Sequence, residues 1–472
     1  MARTDWLTVD MDGLKALLER RGKQFAIYEL VQNAWDENVT EVRITLTRPV
    51  NGKSNLIVLD DSPEGFRDLT DSFTMFASSY KKTEPTKRGA FNCGEKFVLA
   101  LCDEAMITST SGRVSFSAKG RQRSRTKRLV GTEFHAILRL TVAEWEEMGR
   151  AAAKLIPPVA TWFNDELIPT RPELHQWEAT LATVRADAEG NLRPTSRQTT
   201  ITLYDVLEGE TAMLYEMGIP VVDIECKYHV SIGQKVPLNI DRDNVQPAML
   251  KAVLVSVLNN TETRLTKDDA NANWVRVAAS DPRCAPAAIA KVLDLRFGEE
   301  RVSYDPSDVG SNREASSQNW TVVTGGSMSA GEWENARRAN AIAPAGQRFP
   351  TNHAGKVPDK VYDRSEWTAE MLAYAVFVES VSPALVDRKV TLRYIEDSQM
   401  VCGQFFGPFY NVNLAKHFVS NWQWNIELML HELSHTVVQS NDHLCREFYD
   451  TVGKLGAKLA ILLAKQPELL PA

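Results

Sequence analysis

The sequence of residues 25–38 predicts a helix with two chemically different sides, and any fold of this chain must accommodate both sides. At about 100° per residue, Ile27, Val31 and Ala34 fall within one apolar stripe. Carboxylate and amide side chains gather on the opposite side: Glu29, Gln32, Asn33 and Asp36. A solvated helix face usually mixes lysine, glutamate and arginine, whereas this face presents a carboxylate, an amide and a second carboxylate. The polar side is therefore either merely solvated or turned toward a bound group.

The composition limits the number and class of domains. A chain of 472 residues is long enough for about two to four domains. Its net charge of −7, spread over well-mixed charged residues, does not by itself indicate a nucleic-acid or membrane protein. No apolar run looks long enough to span a bilayer, the N-terminus lacks a signal-peptide core, and the six cysteines form no CxxC pair. We therefore expect reduced thiols, a cytoplasmic location and no membrane partner.

Two further segments near the N-terminus predict ligand-binding loops. The strand-like LIVLDD ends in Asp60 and Asp61 and runs into the turn residues Ser-Pro-Glu-Gly, so a carboxylate lies at a sheet edge. Farther along, RGAFNCGEKFVLALC places two glycines before an apolar helix, where backbone N–H groups and the helix dipole favour an anion. The segment is not a Walker motif, because GxxxxGK[ST] is absent. It is not a dinucleotide fingerprint either, because it does not closely follow a strand.

Together these elements resemble the GHKL superfamily of gyrase-type ATPases, heat-shock chaperones, MutL-type repair proteins, MORC proteins and histidine kinases. The matching positions occur in the family's order: Glu29, Asn33 and Asp36 for the N-box, Asp60 to Gly65 for the first glycine box, Gly89, Phe91, Asn92, Gly94 and Lys96 for the second, and Gly131-Thr132 for the last. The resemblance implies an α/β multidomain protein in which residues 1–140 form an N-terminal Bergerat-type α/β sandwich that binds ATP.

The resemblance also implies a role for each of these residues in binding ATP with Mg²⁺. Asn33 would hold Mg²⁺, Asp60 would accept from the adenine amino group near Thr132, and Glu29 would deprotonate the attacking water. Loop 89–96 would wrap the phosphates, and lysines of a lid over residues 77–89 would reach them: Lys81, Lys82 and Lys87. Asn92 replaces a family glycine, and the first box has an extra residue with Ser62 in place of glycine, which leaves the hydrolysis rate open.

Residues 141–260 mix strands and helices and look like the transducer domain of the gyrase and MutL branch. That branch sends a basic residue back to the γ-phosphate, and Lys235 and Arg242 are the two candidates here. No phosphoacceptor helix is apparent, which argues against a histidine kinase. The resemblance further implies an ATP-dependent homodimer. Residues 261–360 form a mixed connector in which we identify no chemistry.

Residues 361–472 contain the sequence HELSH, which predicts a mainly helical domain with a metal site. His431 and His435 are spaced i, i+4, so their imidazoles lie on one side of a helix, with Glu432 beside them as a base for metal-bound water. The segment resembles SprT-like zincin metallopeptidases. This implies Zn²⁺, a third ligand at His443 with Glu447 as competitor, and a protein or peptide substrate pairing with the strand-like GQFFGPFYNVNL. A surface histidine pair, or zinc without cleavage, remains the alternative.

A basic segment, KGRQRSRTKR at residues 119–128, is open to two interpretations. It carries six basic side chains between two predicted strands, so it either contacts nucleic-acid phosphates or is a solvated loop. The leading hypothesis for the whole chain is a GHKL ATPase whose nucleotide-driven change is coupled to the metallopeptidase-like module. The alternatives are a MORC- or gyrase-like ATP-gated nucleic-acid clamp, and a non-cleaving chaperone-like or viral anti-defence factor of the host cytoplasm.

Overall fold

The computed structural model describes residues 10–66, 68–75, 84, 86–88, 93–187, 192–238, 244–350, 358–397, 402–406, 409–417, 419–438 and 446–470. It divides into two compact units. Unit 1 comprises Met1–Asn260 and Asn273–Ala278, and unit 2 comprises Thr261–Ala272 and Ala279–Ala472.

Unit 1 begins with a mixed sheet that has eight strands within the described residues. The strands are β1 (Glu41–Leu46), β2 (Lys53–Asp60), β3 (Cys102–Ser109), β4 (Gly112–Ser117), β5 (Gly120–Ser124), β6 (Glu133–Arg139), β7 (Ala160–Phe163) and β8 (Glu166–Leu167). Their order is β5-β4-β3-β6-β2-β1-β7-β8, and only the β1–β7 pair is parallel. The accompanying helices are α1 (Met11–Arg21), α2 (Phe25–Trp35), α3 (Gly94–Leu101) and α4 (Val142–Ala153).

The alternation of apolar and polar residues explains why helices cover this sheet. In β1 and β6 every second residue is buried, so each strand turns one apolar side toward a single core. Ile27, Val31 and Ala34 of α2 belong to that core, as the sequence predicts. The sheet extends beyond the boundary expected at residue 140, because α4 returns the chain so that β7 pairs parallel with β1.

A second sheet completes unit 1. Its strands are β9 (Glu173–Ala186), β10 (Leu192–Asp205), β11 (Met213–Glu216), β12 (Ile219–Asp223) and β13 (Tyr228–Ile232), followed by α5 (Pro247–Thr261). The order is β12-β11-β13-β10-β9, with β11 and β13 parallel. This strand-and-helix combination agrees with the α/β second domain that the sequence predicts.

Residues 261–350 form short elements. These are α6 (Lys267–Asn271), α7 (Asn273–Ala279), α8 (Pro286–Phe297), β14 (Arg301–Ser303), α9 (Val309–Ser317), β15 (Thr321–Val323), α10 (Ala330–Arg338) and α11 (Ala345–Arg348). Within unit 2, an ion pair of 2.6 Å between the buried side chains of Arg296 and Glu332 joins α8 to α10. Because both charges are shielded from water, losing either partner would leave the other uncompensated.

The C-terminal part of unit 2 packs three helices against a small sheet. Its elements are β16 (Lys360–Val361), α12 (Ala369–Val386), β17 (Thr391–Glu396), β18 (Gly403–Phe406), β19 (Phe409–Asn413), α13 (Trp422–Ser434) and α14 (Arg446–Lys465). The strand order is β16-β17-β19-β18, which leaves β18 at an edge. Together with unit 1, this arrangement confirms the predicted α/β multidomain class.

Helix α12 corrects one expectation. By length and composition its 18 residues are apolar enough to cross a membrane, although we expected no such run from the sequence. Tyr374, Phe377 and Val381 are buried in the core that α12 shares with β17, β19, α13 and α14. The buried core helix of a folded domain can be as long and as apolar as a membrane span. Length and composition alone are therefore weak evidence that α12 spans a membrane.

Candidate functional site

The polar side of α2 is buried, which excludes the interpretation of a merely solvated face. Glu29 is 5% exposed, and Gln32 and Asp36 are each 2% exposed. Asn33 is half-buried. A helix buried on its polar side needs partners for its carboxylates and amides, because an unpaired buried charge is costly. These partners show how the site is assembled.

The Glu29 carboxylate lies against the first residue of α3. The Gln32 side-chain amide donates to Glu29 Oε2 and holds it there. A methyl group added at Gly94 would stand 2.5 Å from the Glu29 carboxyl carbon and 3.2 Å from its Cγ. Only glycine leaves room for the acid at this position. The arrangement places a carboxylate beside the N-terminus of α3, where backbone N–H groups and the helix dipole favour anions.

Asp60, at the end of β2, forms a polar pocket with Thr132. The backbone N–H groups of Ser62 (2.9 Å) and Thr132 (3.1 Å) both donate to Asp60 Oδ1. In the described part of the chain, no hydrogen bond reaches the second oxygen, Oδ2. Burial raises the pKa of Asp60 to about 6, against the lowering effect of the two backbone donors. Gly131, at φ +77°, makes the pocket possible, since a methyl there would lie 2.8 Å from the Asp60 carbonyl carbon.

The neighbouring Asp61 has a different role. Its carboxylate accepts from the backbone N–H groups of Thr40 (2.8 Å) and Glu41 (3.1 Å) and from the Thr40 hydroxyl, so it secures the start of β1. Gly65 adopts φ +59° and packs against the Ser109 hydroxyl, which also accepts from Phe66 N–H at 2.6 Å. Of the two adjacent acids, Asp60 is therefore the one with an oxygen available to a ligand.

Asp36 contacts Arg88, and its role in nucleotide binding stays a prediction. Its Oδ1 accepts from the backbone N–H (3.0 Å) and the guanidinium (3.1 Å) of Arg88, which is 5% exposed. The same guanidinium donates to the carbonyl of Met217, between β11 and β12, and lies over the Trp35 ring. Arg88 thus joins α2 to the second sheet of unit 1. The sequence gives no signal for these contacts, because Arg88 is 52 positions from Asp36 and 129 positions from Met217.

Three of the predicted phosphate-binding lysines are described: Lys87 is half-buried, and Lys96 and Lys235 are buried. Lys96 is 8% exposed, and its Nζ lies 3.7 Å from Glu95 Oε2. Lys235 is 2% exposed, and its carbonyl accepts from the Thr183 hydroxyl at 2.8 Å. Lys235 lies in a loop after β13, and its contact with the γ-phosphate stays a prediction. The predicted residues that lie outside the described part of the chain are Lys81, Lys82, Gly89, Phe91, Asn92, Arg242 and His443.

The described residues fit ATP with Mg²⁺ on two observations. Asp60 offers a carboxylate oxygen with no hydrogen bond to a described residue, which suits an amino-group donor. The absence of a Cβ at Gly94 leaves backbone N–H groups beside a buried acid, which suits a phosphate and an attacking water. Asn33, half-buried on the same helix as Glu29, carries an amide oxygen, a group of the kind that Mg²⁺ accepts as a ligand.

The HELSH residues form a separate cluster in unit 2. The ring centroids of His431 and His435 lie 5.2 Å apart, and both rings contact Phe448. Glu432 is 8% exposed and accepts a hydrogen bond from the backbone N–H of Phe405 in β18; burial raises its pKa to about 8. The described residues contain no group of three or more His, Cys, Asp or Glu side chains able to hold a metal. They therefore supply two of the donors expected for Zn²⁺, while Glu447 is exposed near the start of α14.

Neither a family model nor a curated protein matches this sequence. The ATPase region of Saccharomyces cerevisiae topoisomerase II is 10% identical, with a TM-score of 0.27 over 42% of this chain and 61% of that one. The ATPase and transducer domains of DNA topoisomerase II from Balamuthia mandrillaris are 12% identical, with a TM-score of 0.28 over 42% and 60%. The N-terminal domain of a DNA repair protein is 13% identical, with a TM-score of 0.26 over 46% and 80%. This chain thus spans about three fifths of the topoisomerase structures, and at TM-scores this low the likeness carries no functional argument.

Proposed function

We propose that unit 1 binds ATP with Mg²⁺ and hydrolyses it. The observation that carries the proposal is the buried Glu29 carboxylate, held by Gln32 against the glycine that begins α3. The carboxylate flanks the place where the N–H groups of α3 favour a phosphate. A general base must lie within hydrogen-bond reach of the water that attacks that phosphate, and Glu29 is the acid in that position.

Each described residue of the site has a separate task in this proposal. Asp60 accepts from the adenine amino group, and Thr132 fixes the Asp60 carboxylate through its backbone N–H. Glu29 orients the water and takes its proton. Asn33 would hold Mg²⁺, which neutralises charge on the phosphates. Arg88 holds Asp36 and connects α2 to the second sheet.

Substitution of Glu29 tests the base assignment. Glu29→Gln keeps the shape of the side chain and its contact with Gln32 but cannot accept a proton, so turnover falls by about 100-fold or more while ATP binding persists. Single-turnover hydrolysis and equilibrium binding separate the two effects. Wild-type turnover in Glu29→Gln and Glu29→Ala would reject Glu29 as the base, and loss of binding in both would reassign it to nucleotide recognition.

We further propose that the HELSH cluster binds zinc and forms a metallopeptidase-like module acting on a protein or peptide. The specific observation in its favour is that two imidazoles on one helix share a side, next to a buried acid. Metal analysis of the purified full chain tests it. One zinc per chain, lost in His431→Ala and retained in Glu432→Gln, supports the site, whereas a metal-free wild-type chain excludes it.

Coupling between the two activities is a separate proposal. In the GHKL resemblance, ATP drives association of two chains, and the C-terminal module responds to that closed state. Sedimentation of the full chain with and without a non-hydrolysable ATP analogue tests dimer formation. Peptide cleavage by wild type and Glu29→Gln, each with ATP, tests coupling: equal cleavage rates in both would show that hydrolysis does not control the module.

A further inference from the structure

Strand β5 and the residues on either side of it carry a cluster of positive charge on a chain that is otherwise acidic. Residues 119–128, here called the basic hairpin, contain six basic side chains and no acidic one. The net charge of the whole chain is −7, so removing these six charges leaves −13 for the remainder. A protein with this balance does not attract polyanions through its overall field, so the positive charge acts locally.

The hairpin lies at the edge of the sheet. β5 pairs with β4 and is the outermost strand of the eight-stranded sheet, and each of its residues is exposed. Of the six basic side chains, Arg128 forms an ion pair, with Glu133 at 2.8 Å. Among the described residues, no ion pair neutralises the other five. The pKa of Asp68 lies below its usual range, mainly because Thr70 donates hydrogen bonds to its carboxylate. The positive charge of Arg123 lowers this pKa further.

Two of the arginines are held in place on one side of β5. Arg121 and Arg123 are two residues apart, so their side chains point to the same side of β5. Their Cα atoms are about 6.7 Å apart. Their guanidinium carbons lie 3.7 Å and 5.2 Å from the centre of the Phe73 ring. Stacking on an aromatic ring restricts an arginine without consuming its N–H donors, which stay available for phosphate oxygens.

We propose that the basic hairpin binds the sugar-phosphate backbone of nucleic acid without regard to sequence. Arginine outnumbers lysine by four to two in this segment, and its planar fork suits phosphate oxygens. Arg121 and Arg123 present their guanidinium groups from the exposed strand β5, and contacts of such groups with phosphate oxygens carry no sequence information. None of these six basic residues is assigned to the nucleotide site, so the binding of nucleic acid is tested separately from ATP hydrolysis.

An anionic membrane is the competing partner, because Leu129, next to the hairpin, is 99% exposed. Membrane binding would bury that leucine among lipid chains, whereas phosphate binding would depend on the arginines alone. The substitution Leu129→Ser therefore separates the two partners. It leaves every charge of the basic hairpin unchanged.

The test measures binding of the full chain to mixed-sequence duplex DNA by fluorescence anisotropy over a salt series. The variant Arg121→Ser, Arg123→Ser, Arg125→Ser should bind at least about tenfold more weakly, and the slope of log K against log salt should fall by about 2.7, or 0.9 per lost phosphate contact. The charge-retaining variant R121K/R123K/R125K should keep most of the slope. Circular dichroism and thermal unfolding confirm that the variants are folded.

A matched control removes the same charge from another hairpin of unit 1. Arg185→Ser, Arg193→Ser, Arg197→Ser alters exposed arginines of β9 and β10 and should leave DNA binding unchanged. An equal loss in this control would show that bulk charge, not the basic hairpin, sets the affinity, and absence of DNA binding by wild type would also overturn the proposal. So would preferential binding to phosphatidylserine vesicles that is lost in Leu129→Ser.

Discussion

The substitution Gly94→Ala separates the geometry of the ATP site from the stability of its domain. A methyl group at residue 94 would lie 2.5 Å from the carboxyl carbon of Glu29, which is far inside van der Waals contact. The obstructed group is the end of a flexible side chain, so the acid turns away while the backbone stays in place. The change therefore moves the proposed base without removing it.

The expected magnitudes differ for stability and for rate. Displacing Glu29 breaks its hydrogen bond with Gln32, which costs about 1.5–3 kcal/mol for a bond to a charged group. Alanine at the start of α3 regains up to about 1 kcal/mol of helix propensity. The net loss is then about 0.5–3 kcal/mol, a fall in Tm of at most about 12 °C for a unit of this size. Removal of a general base from its position costs about 100-fold to 10,000-fold in turnover.

The assay compares Gly94→Ala with Gly453→Ala. Gly453 lies in α14 with open space where a Cβ would be, so alanine there should stabilise the helix slightly and leave turnover unchanged. Steady-state hydrolysis and thermal unfolding are measured on both. Gly94→Ala with wild-type turnover would refute the reasoning, because it would show that the position of Glu29 against α3 does not matter for catalysis.

Three further predictions concern other contacts of unit 1. Asp60→Asn should weaken ATP binding by about 10-fold to 100-fold, since a charge-assisted acceptor is lost, and calorimetry measures it. Because the folded-state pKa of Asp60 is about 6, the wild-type carboxylate is ionised above that pH and protonated below it. The affinity advantage of wild type over Asp60→Asn should therefore shrink as pH falls through about 6, and an advantage constant down to pH 5 would contradict the assignment. Arg88→Met should destabilise unit 1 by about 1.5–3 kcal/mol in urea unfolding, because it removes the guanidinium hydrogen bond to the buried Asp36 carboxylate. Asp36→Asn in the same chain should restore part of that loss, and strictly additive losses would show that the two residues do not interact.

Periodicity and local motifs predicted the elements of unit 1 better than their long-range partners. The apolar stripe on α2 and the alternation in β1 and β6 determine which sides face the core, and both are visible in the sequence. Spacing along a single element is enough to predict these sides. Asp60 and Thr132 meet because β2 pairs with β6 across 72 positions, and only the family resemblance implied that contact.

The contacts that sequence reasoning missed join residues that lie far apart in the chain. Asp36 has the spacing of a ligand residue, but its partner is Arg88, and no pattern along the chain links the two. The strands after residue 140 were expected in a second domain, but β7 joins the first sheet through a parallel pairing that follows a crossover helix. Lys235 lies in a loop, as expected, but nothing in the sequence indicated that it is buried. Burial and long-range pairing are decided by packing, which composition and periodicity do not report.

Isothermal titration of the full chain with a non-hydrolysable ATP analogue, in the presence and absence of Mg²⁺, tests the nucleotide site most directly. The proposed site predicts one analogue bound per chain, tighter binding with Mg²⁺, and a marked loss of affinity in Asp60→Asn. Absence of any saturable heat, with the protein shown to be folded in the same buffer, would contradict it.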